Sequence, residues 1–180
     1  MFLIENDRLG LSQYTHADDR DFYACWQDTD TQKGYNGVFC QSFEEFRQFD
    51  TERFRFWVTA ADKRLDRKIG VLRLGPDETC PDLAIWIYPQ YRHRGYGAES
   101  FALALHYIFE HFPYPEISAG CYEDNANSLK MLRKTGFVRY PAGDAAEKNC
   151  FTGESITQLE FRITKDLFLK NNQRNTRQNT

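Results

Sequence analysis

A glycine-containing loop between an apolar strand and an amphipathic helix constrains this 180-residue chain more than any other segment. Residues 82–88 (DLAIWIY) predict a buried strand that ends at Pro89, and residues 95–112 predict a helix with one apolar face. The loop, residues 92–97 (RHRGYG), lies between them. Unpaired N–H groups and the helix dipole favour an anion at such a junction, and glycine lets the backbone approach phosphate oxygens. The loop therefore predicts a pyrophosphate site.

Three interpretations of this loop compete on its residues alone. A Rossmann dinucleotide loop has a third glycine where this chain has Ser100, although an acid near the end of the next strand, Glu123 or Asp124, fits that alternative. A Walker loop requires Gly-Lys-Ser/Thr, which the segment lacks, so a P-loop is excluded. A tight turn flanked by solvated Arg92 and Arg94 is the third alternative.

The rest of the chain predicts a mixed order of strands and helices, without an internal repeat or a linker that would mark a second domain. Strands are predicted at 9–14, 55–60, 68–74, 82–88, 117–122, 137–140 and 156–163. Helices are predicted after the capping residues 15–19, at the Ser-x-x-Glu capping box 42–45, at 95–112 and at 125–135, with a loop at 29–38. Residues 1–169 are expected to form one α/β domain and residues 170–180 a polar, disordered tail.

Composition excludes several classes of protein. Hydrophobic residues make up 41% and aromatic residues 16%, which disfavours intrinsic disorder, and a net charge of −3 disfavours a nucleic-acid partner. The longest nearly apolar run, 101–109, is far below the roughly 20 residues of a membrane span, and the acidic start does not resemble a signal peptide. Five irregularly spaced cysteines predict neither disulfides nor a metal site. We therefore expect a cytoplasmic protein with reduced thiols.

Two motifs, in the right order, resemble the GNAT N-acetyltransferase superfamily. Arg92-x-x-Gly95-x-Gly97 resembles its Arg/Gln-x-x-Gly-x-Gly/Ala signature. Residues 125–137 (NANSLKMLRKTGF) resemble its Asn-x-x-Ser/Ala helix, which closes in Lys-x-Gly-Phe. Residues 7–11 (DRLGL) are similar to the opening strand of the RimJ/RimL-like ribosomal-protein branch. The chain is identified as a member of this superfamily and branch.

The resemblance implies a single-domain GNAT-like α/β fold: a strongly twisted mixed sheet, helices on both faces, and a splay between the strands at 82–88 and 117–122. Acetyl-CoA, as co-substrate, would lie in that splay. The residues that the resemblance places in contact with it are Ile87, Tyr88, Arg92, Arg94, Gly95, Tyr96, Gly97, Ala98, Asn125 and Ser128.

The family's reaction is direct attack of a neutral primary amine on the thioester, and the amine belongs to a protein N-terminus or a small molecule. Leu132 stands where many relatives have a tyrosine that protonates the leaving thiolate, and Ser128 is its expected substitute. His93 replaces the usual loop glycine. Glu123 is the candidate general base; by strand position Asp82, His106 and Cys121 also lie within reach of the cleft.

The acceptor side of the site is the least defined by the sequence. Trp26, Tyr35 and Trp86 are expected to bind the acceptor, although Trp26 also fits the apolar stripe of its helix. A non-catalytic acyl-CoA-binding sensor and a nicotinamide-dependent oxidoreductase are the alternative functions. Exposed strand edges allow either a monomer or a homodimer.

Overall fold

The computed structural model describes the backbone of residues 1–178 and the side chains of residues 1–173. Short 3-10 turns lie at Pro89–Tyr91 and Pro141–Gly143. The helices and strands, in chain order, are β1 (Ile4–Glu5), β2 (Leu9–Gln13), α1 (Asp19–Gln27), α2 (Thr29–Gly34), α3 (Phe43–Arg47), β3 (Trp57–Asp62), β4 (Arg67–Leu74), β5 (Leu83–Ile87), α4 (Tyr96–His111), β6 (Glu116–Tyr122), α5 (Ala126–Lys134), β7 (Val138–Arg139), β8 (Ala145–Lys148), β9 (Ser155–Thr164) and α6 (Lys165–Gln178).

The strands form two antiparallel sheets that diverge from one point. Strands β1 to β5 pair in sequence order, and β9 pairs with β6 on one side and with β7 and β8 on the other. Strands β5 and β6 are joined by a single parallel bridge, Asp82 to Ser118, where the Ser118 N–H donates to the Pro81 carbonyl at 3.0 Å. Beyond the bridge the strands separate, which confirms the predicted splay. The mixed sheet thus consists of two antiparallel sheets with one parallel junction.

Alternating side chains of β5 bury both faces of the first sheet. Leu83 packs with the large core cluster under α4, whereas Trp86 and Tyr88 pack with a second, aromatic cluster under α1. Helix α4 contributes Phe101 and its apolar face to the first cluster, as predicted. Helices therefore cover both faces. No helix in the described part of the chain is long and apolar enough to cross a membrane.

The predicted loop at 29–38 instead contains helix α2. Asp28 caps this helix, because its carboxylate accepts the Thr31 N–H at 2.8 Å. Gly34 ends the helix and does not belong to a longer loop. The capping box at 42–45 is confirmed at the start of α3.

The predicted disordered tail differs from the structure, in which α6 continues to Gln178; residues 179–180 lie outside the described residues. Phe168, in the first turn of α6, is buried. Its ring lies 4.7 Å from the His106 ring and 5.2 Å from the Phe109 ring, both on α4. Because these contacts fix the start of the helix, the polar residues that follow extend an existing nucleus.

Candidate active site

A cleft of about 1000 Å³ opens where β5 and β6 separate. Successive side chains along a strand point to opposite faces of the sheet, so the cleft has two different walls. Side chains on one face join the core cluster under α4, and those on the other face join the aromatic cluster. We name the two walls after their neighbouring helices. The α5 side is lined by Ile87, Gly97, Phe101, Ser128 and Met131; the α2 side is lined by Tyr35, Trp86, Tyr122, Gln158 and Glu160.

The free edge of β5 presents the backbone of Ile85 and Ile87 to the cleft. Both carbonyls accept side-chain hydrogen bonds from outside the sheet, at 2.6 and 3.2 Å. Tyr88 was expected at this edge, but its N–H donates to the Ile69 carbonyl of β4 and its side chain is buried in the aromatic cluster. The N–H and C=O groups of successive strand residues point alternately to the two neighbouring sides. Ile85, two residues before Ile87, therefore faces the cleft edge where Tyr88 was expected.

The start of α4 supplies unpaired backbone donors. Gly95, with φ of +82°, precedes the first turn of the helix. Among the described residues, no side chain caps this end. The N–H groups of Tyr96, Gly97 and Ala98 are therefore available to an anion. A Cβ at Gly97 would lie 3.2 Å from Met131 Sδ, so this glycine keeps the space between α4 and α5 open.

The two loop arginines do not point where the sequence suggested. Arg92 lines the cleft, but its guanidinium donates to the Asp28 carboxylate at 2.8 Å and to the Thr31 hydroxyl, which ties the end of β5 to α2. Arg94 is exposed and lies outside the cleft wall. The Arg92 guanidinium is therefore engaged by α2, and the contacts of Arg92 and Arg94 with pyrophosphate stay predictions.

Two lysines that the sequence analysis missed provide positive charge at the cleft. Lys130 and Lys134 of α5 both line it. Their i, i+4 spacing places them on one helix face, and this spacing was the available signal.

His93 stands in the left-handed region, with φ of +61°. This is the loop position where the family usually has glycine, and a side chain there costs conformational energy. We expect His93→Gly to raise the free energy of unfolding by about 0.5–1 kcal/mol, because relief of this strain exceeds the entropy that glycine adds to the unfolded chain. Urea denaturation measures the difference, and a destabilised variant would contradict the strain argument.

Asn125 and Ser128 come together at the start of α5, and both line the cleft. Asn125 Oδ1 accepts the Ser128 N–H at 3.1 Å and so caps the helix. The Ser128 hydroxyl takes no part in this cap. Leu132, one turn further, is fully buried and offers no proton.

Glu123 does not line the cleft. It lies in the turn after β6, is exposed, and its carboxylate accepts the Thr157 N–H at 2.9 Å. The structure therefore does not bring Glu123, the predicted general base, into the cleft; its carboxylate binds the backbone of β9 instead. Cys121 lines the α5 side, where burial raises the pKa of its thiol to about 11, and His106 packs against α6.

Two of the three predicted acceptor aromatics reach the cleft. Tyr35 and Trp86 line it and stack with ring centroids 4.8 Å apart and an interplanar angle of 11°. The Tyr35 hydroxyl donates to the Ile85 carbonyl, and burial raises the pKa of Tyr35. Trp26 lies behind both rings, at 5.3 and 5.9 Å, and outside the cleft wall.

Three carboxylates and the guanidinium of Arg73 line the α2 side. Asp30, Asp82 and Glu160 all line the cleft. Asp82 forms an ion pair with Arg73 at 3.1 Å. Glu160 is partly buried, and this burial raises the pKa of its carboxyl. No local pattern marks Glu160 as a cleft residue, because its position depends on the pairing of β6 with β9.

Hydrogen bonds connect the α2 side of the cleft to β8 and the turn that follows it. Asn36, just after α2, donates to the Lys148 carbonyl at 3.0 Å and accepts the Cys150 N–H at 2.9 Å. The Tyr122 hydroxyl, at the end of β6, donates to Glu147 of β8 at 2.7 Å. These bonds hold the residue after α2 and the end of β6 against β8.

Comparisons with known proteins agree with this geometry. The family model described as acetyltransferase (GNAT) domain matches residues 8–138. The uncharacterized N-acetyltransferase YoaA of Bacillus subtilis (strain 168) is 26% identical over 147 residues, which cover 76% of this chain and 83% of that protein.

Solved structures share the fold at low sequence identity. Spermidine N-acetyltransferase from Vibrio cholerae, in complex with CoA and spermine, has a TM-score of 0.80 and 18% identity, and covers 91% of this chain and 99% of that chain. A GNAT-family acetyltransferase from Bacillus anthracis has a TM-score of 0.75 and 21% identity, and covers 92% and 99%. Because the family model spans well over half of its length, the chain belongs to the GNAT family of acetyltransferases.

Proposed function

We propose that this protein transfers the acetyl group of acetyl-CoA directly to a primary amine of a small cationic molecule. The observation that carries the proposal is the unequal division of the cleft: the α5 side offers N–H groups and lysines, whereas the α2 side offers carboxylates and stacked aromatic rings. A polyanion fits the first wall and an ammonium group fits the second.

The α5 side fits acetyl-CoA group by group. Its pyrophosphate suits the N–H groups at the start of α4, and the charges of Lys130 and Lys134 suit its phosphates. Its pantetheine arm carries amide carbonyls, which suit the N–H groups of Ile85 and Ile87 at the edge of β5, where the two backbone carbonyls already accept from Tyr35 and Arg92. When bound, acetyl-CoA supplies an activated acyl group and a thiolate leaving group.

The chemistry of the α2 side favours a small cationic acceptor. The carboxylates of Asp30, Asp82 and Glu160 attract cations, and the stacked rings of Tyr35 and Trp86 present an aromatic surface to an ammonium group. The spermidine N-acetyltransferase of similar fold was solved with spermine. The predicted RimJ/RimL-like branch would instead favour a protein N-terminus. The identity of the acceptor therefore distinguishes a small-molecule acetyltransferase from a member of that branch.

A turnover experiment decides between these acceptors. Purified protein is given acetyl-CoA with spermidine, with 1,5-diaminopentane, or with a peptide bearing a free N-terminus, and the acetylated products are measured by mass spectrometry. We expect kcat/KM to be at least tenfold higher for the diamine or spermidine than for the peptide. A preference for the peptide would contradict the small-acceptor proposal and support the RimJ/RimL-like assignment.

A non-catalytic acyl-CoA sensor is the second candidate, and Leu132 favours it, because this buried leucine stands where an acid is usual. Saturable acetyl-CoA binding without product from any of the three amines would support the sensor. Product formation would contradict it.

Ser128 is the proposed acid for the leaving thiolate. The helix N-terminus around it favours transfer of a proton to a nearby anion, and its hydroxyl is free of the Asn125 cap. We expect Ser128→Ala to lower kcat by about tenfold to a hundredfold, because one proton transfer loses its donor. The Kd for CoA should stay within about twofold, because the cap uses only the backbone N–H. Unchanged kcat would remove Ser128 from the reaction.

A further inference from the structure

Glu160 occupies a distinctive place on the α2 side of the cleft. It pairs across the sheet with Gly120 of β6, two residues from Ser118, where β5 and β6 meet. A Cβ at Gly120 would lie 3.1 Å from Gln158 Nε2, so the Gln158 amide covers this glycine beside the carboxylate, and both Gln158 and Glu160 line the cleft. Asp82 lines the cleft from the β5 strand opposite.

The backbone and stem of Glu160 are fixed by the turn after β7. Its N–H donates to Asp144 at 3.0 Å, and its carbonyl accepts from Arg139 at 2.7 Å and from the Tyr140 N–H at 2.9 Å. A Cβ at Gly143 would lie 2.7 Å from Glu160 Cγ, so the turn packs closely against the stem. The carboxylate thus has a supported position in the wall.

The charges that face Glu160 come from three directions and act in opposite senses, while burial raises the pKa of its carboxyl most. On β9 itself, Arg162 Nε lies 3.6 Å from Glu160 Oε1 and lowers this pKa, although Arg162 also binds Glu116 at 2.9 Å. Asp82, across the cleft, and Asp144, in the turn, both raise the pKa of Glu160, in the same direction as its burial. Arg73 and Arg139 are each paired with one of these two aspartates.

The cleft carboxylates Asp82 and Glu160 therefore differ in their ion pairing. Asp82 has an arginine partner of its own, whereas Glu160 is partly buried and only loosely paired. A carboxyl whose pKa is raised toward the working pH is suited to accept a proton, and a paired one is suited to hold a cation.

We propose that Glu160 is the general base that deprotonates the acceptor ammonium. The inference rests on the proposed acetyl transfer to an amine. The ammonium N–H bond breaks and its proton passes to a Glu160 carboxylate oxygen, which leaves the electron pair on nitrogen. That pair forms the N–C bond to the acyl carbon as the C–S bond breaks, and the thiolate takes a proton from Ser128 or water. The nitrogen, positively charged once the N–C bond has formed, loses its second proton, which restores the donor that protonated the thiolate, and Glu160 releases the first proton to solvent.

The test is the pH dependence of kcat/KM with 1,5-diaminopentane, whose amines are lysine-like, with a pKa of about 10.4. In the wild type the reactive complex holds the ammonium and the ionised Glu160. The value of kcat/KM should therefore be constant at pH values between the pKa of Glu160 and the pKa of the amine. It should decrease when the pH is lowered below the pKa of Glu160. Glu160→Gln can use only the free amine. Its kcat/KM should rise about tenfold per pH unit from pH 6.5 to 9 and lie at least a hundredfold below wild type at pH 7.

Two further variants separate catalysis from structure. Glu160→Asp should lower kcat/KM but keep the level region, because it retains a carboxylate, and Glu110→Gln, on the exposed surface of α4, should change neither the level nor the profile. A Glu160→Gln variant that binds CoA normally and keeps the wild-type profile would overturn the inference. A wild type without activity toward any amine would instead contradict the proposed function.

Discussion

Gly97→Trp is expected to weaken CoA binding by at least tenfold, or about 1.4 kcal/mol. Gly97 lies in the first turn of α4 and lines the cleft on the α5 side. A Cβ there would already be 3.2 Å from Met131 Sδ and 3.8 Å from Ile87 Cγ1. An indole would fill the space in which we place the pyrophosphate and the pantetheine arm.

Gly97→Ala is the matched control for this experiment. A single methyl group meets only the flexible end of Met131, which can move by a few tenths of an ångström, so the Kd for CoA should change by about threefold or less. Calorimetric titration measures both variants, and circular dichroism verifies that they are folded. Unchanged affinity in folded Gly97→Trp would remove this loop from the binding site.

Arg92→Met is expected to lower the free energy of unfolding by about 2–3 kcal/mol. The guanidinium joins three points: the Ile87 carbonyl at the end of β5, the Asp28 carboxylate, and the Thr31 hydroxyl at the start of α2. Methionine keeps most of the apolar stem but leaves a partly buried carboxylate without its cation. The loss should therefore come from the ion pair and its hydrogen bonds.

Arg94→Met provides the contrast, since Arg94 is two residues away, carries the same charge and is exposed. We expect it to change the unfolding free energy by no more than about 0.5 kcal/mol. Urea denaturation of both variants gives the comparison. Equal stability of the two variants would show that the contacts of Arg92 do not hold α2 in place.

The fold was largely predictable because its central elements carry strong local patterns. The apolar run at 82–88 and the glycines at 95 and 97 located β5 and the start of α4, whereas the splay between β5 and β6 was predicted from the family resemblance. Helix α2 was missed because Gly34 and Gly37 are typical of loops. Its cap, Asp28, also binds Arg92 of the distant loop, a contact that no local pattern predicts.

The site was less predictable than the fold, because side-chain direction and long-range register are not local properties. Tyr88 was predicted at the edge of β5 that faces the cleft, but its N–H pairs with β4 and Ile85 faces the cleft instead. A strand has a two-residue period, so an error of one residue reverses which side a residue faces. Arg92 turns away toward α2, and Glu123 ends in a turn outside the cleft. Glu160 enters the cleft only because β9 pairs with β6 in one particular register.

A thermal-shift titration with acetyl-CoA, desulfo-CoA and NADH tests most directly whether the splay binds the acyl donor. At a ligand concentration of a hundred times the Kd, binding adds about 2.7 kcal/mol to the stability, or roughly 5–10 °C for a chain of this size. The account predicts this shift with both CoA ligands and none with NADH. A shift with NADH alone, or no shift with either CoA ligand, would contradict it.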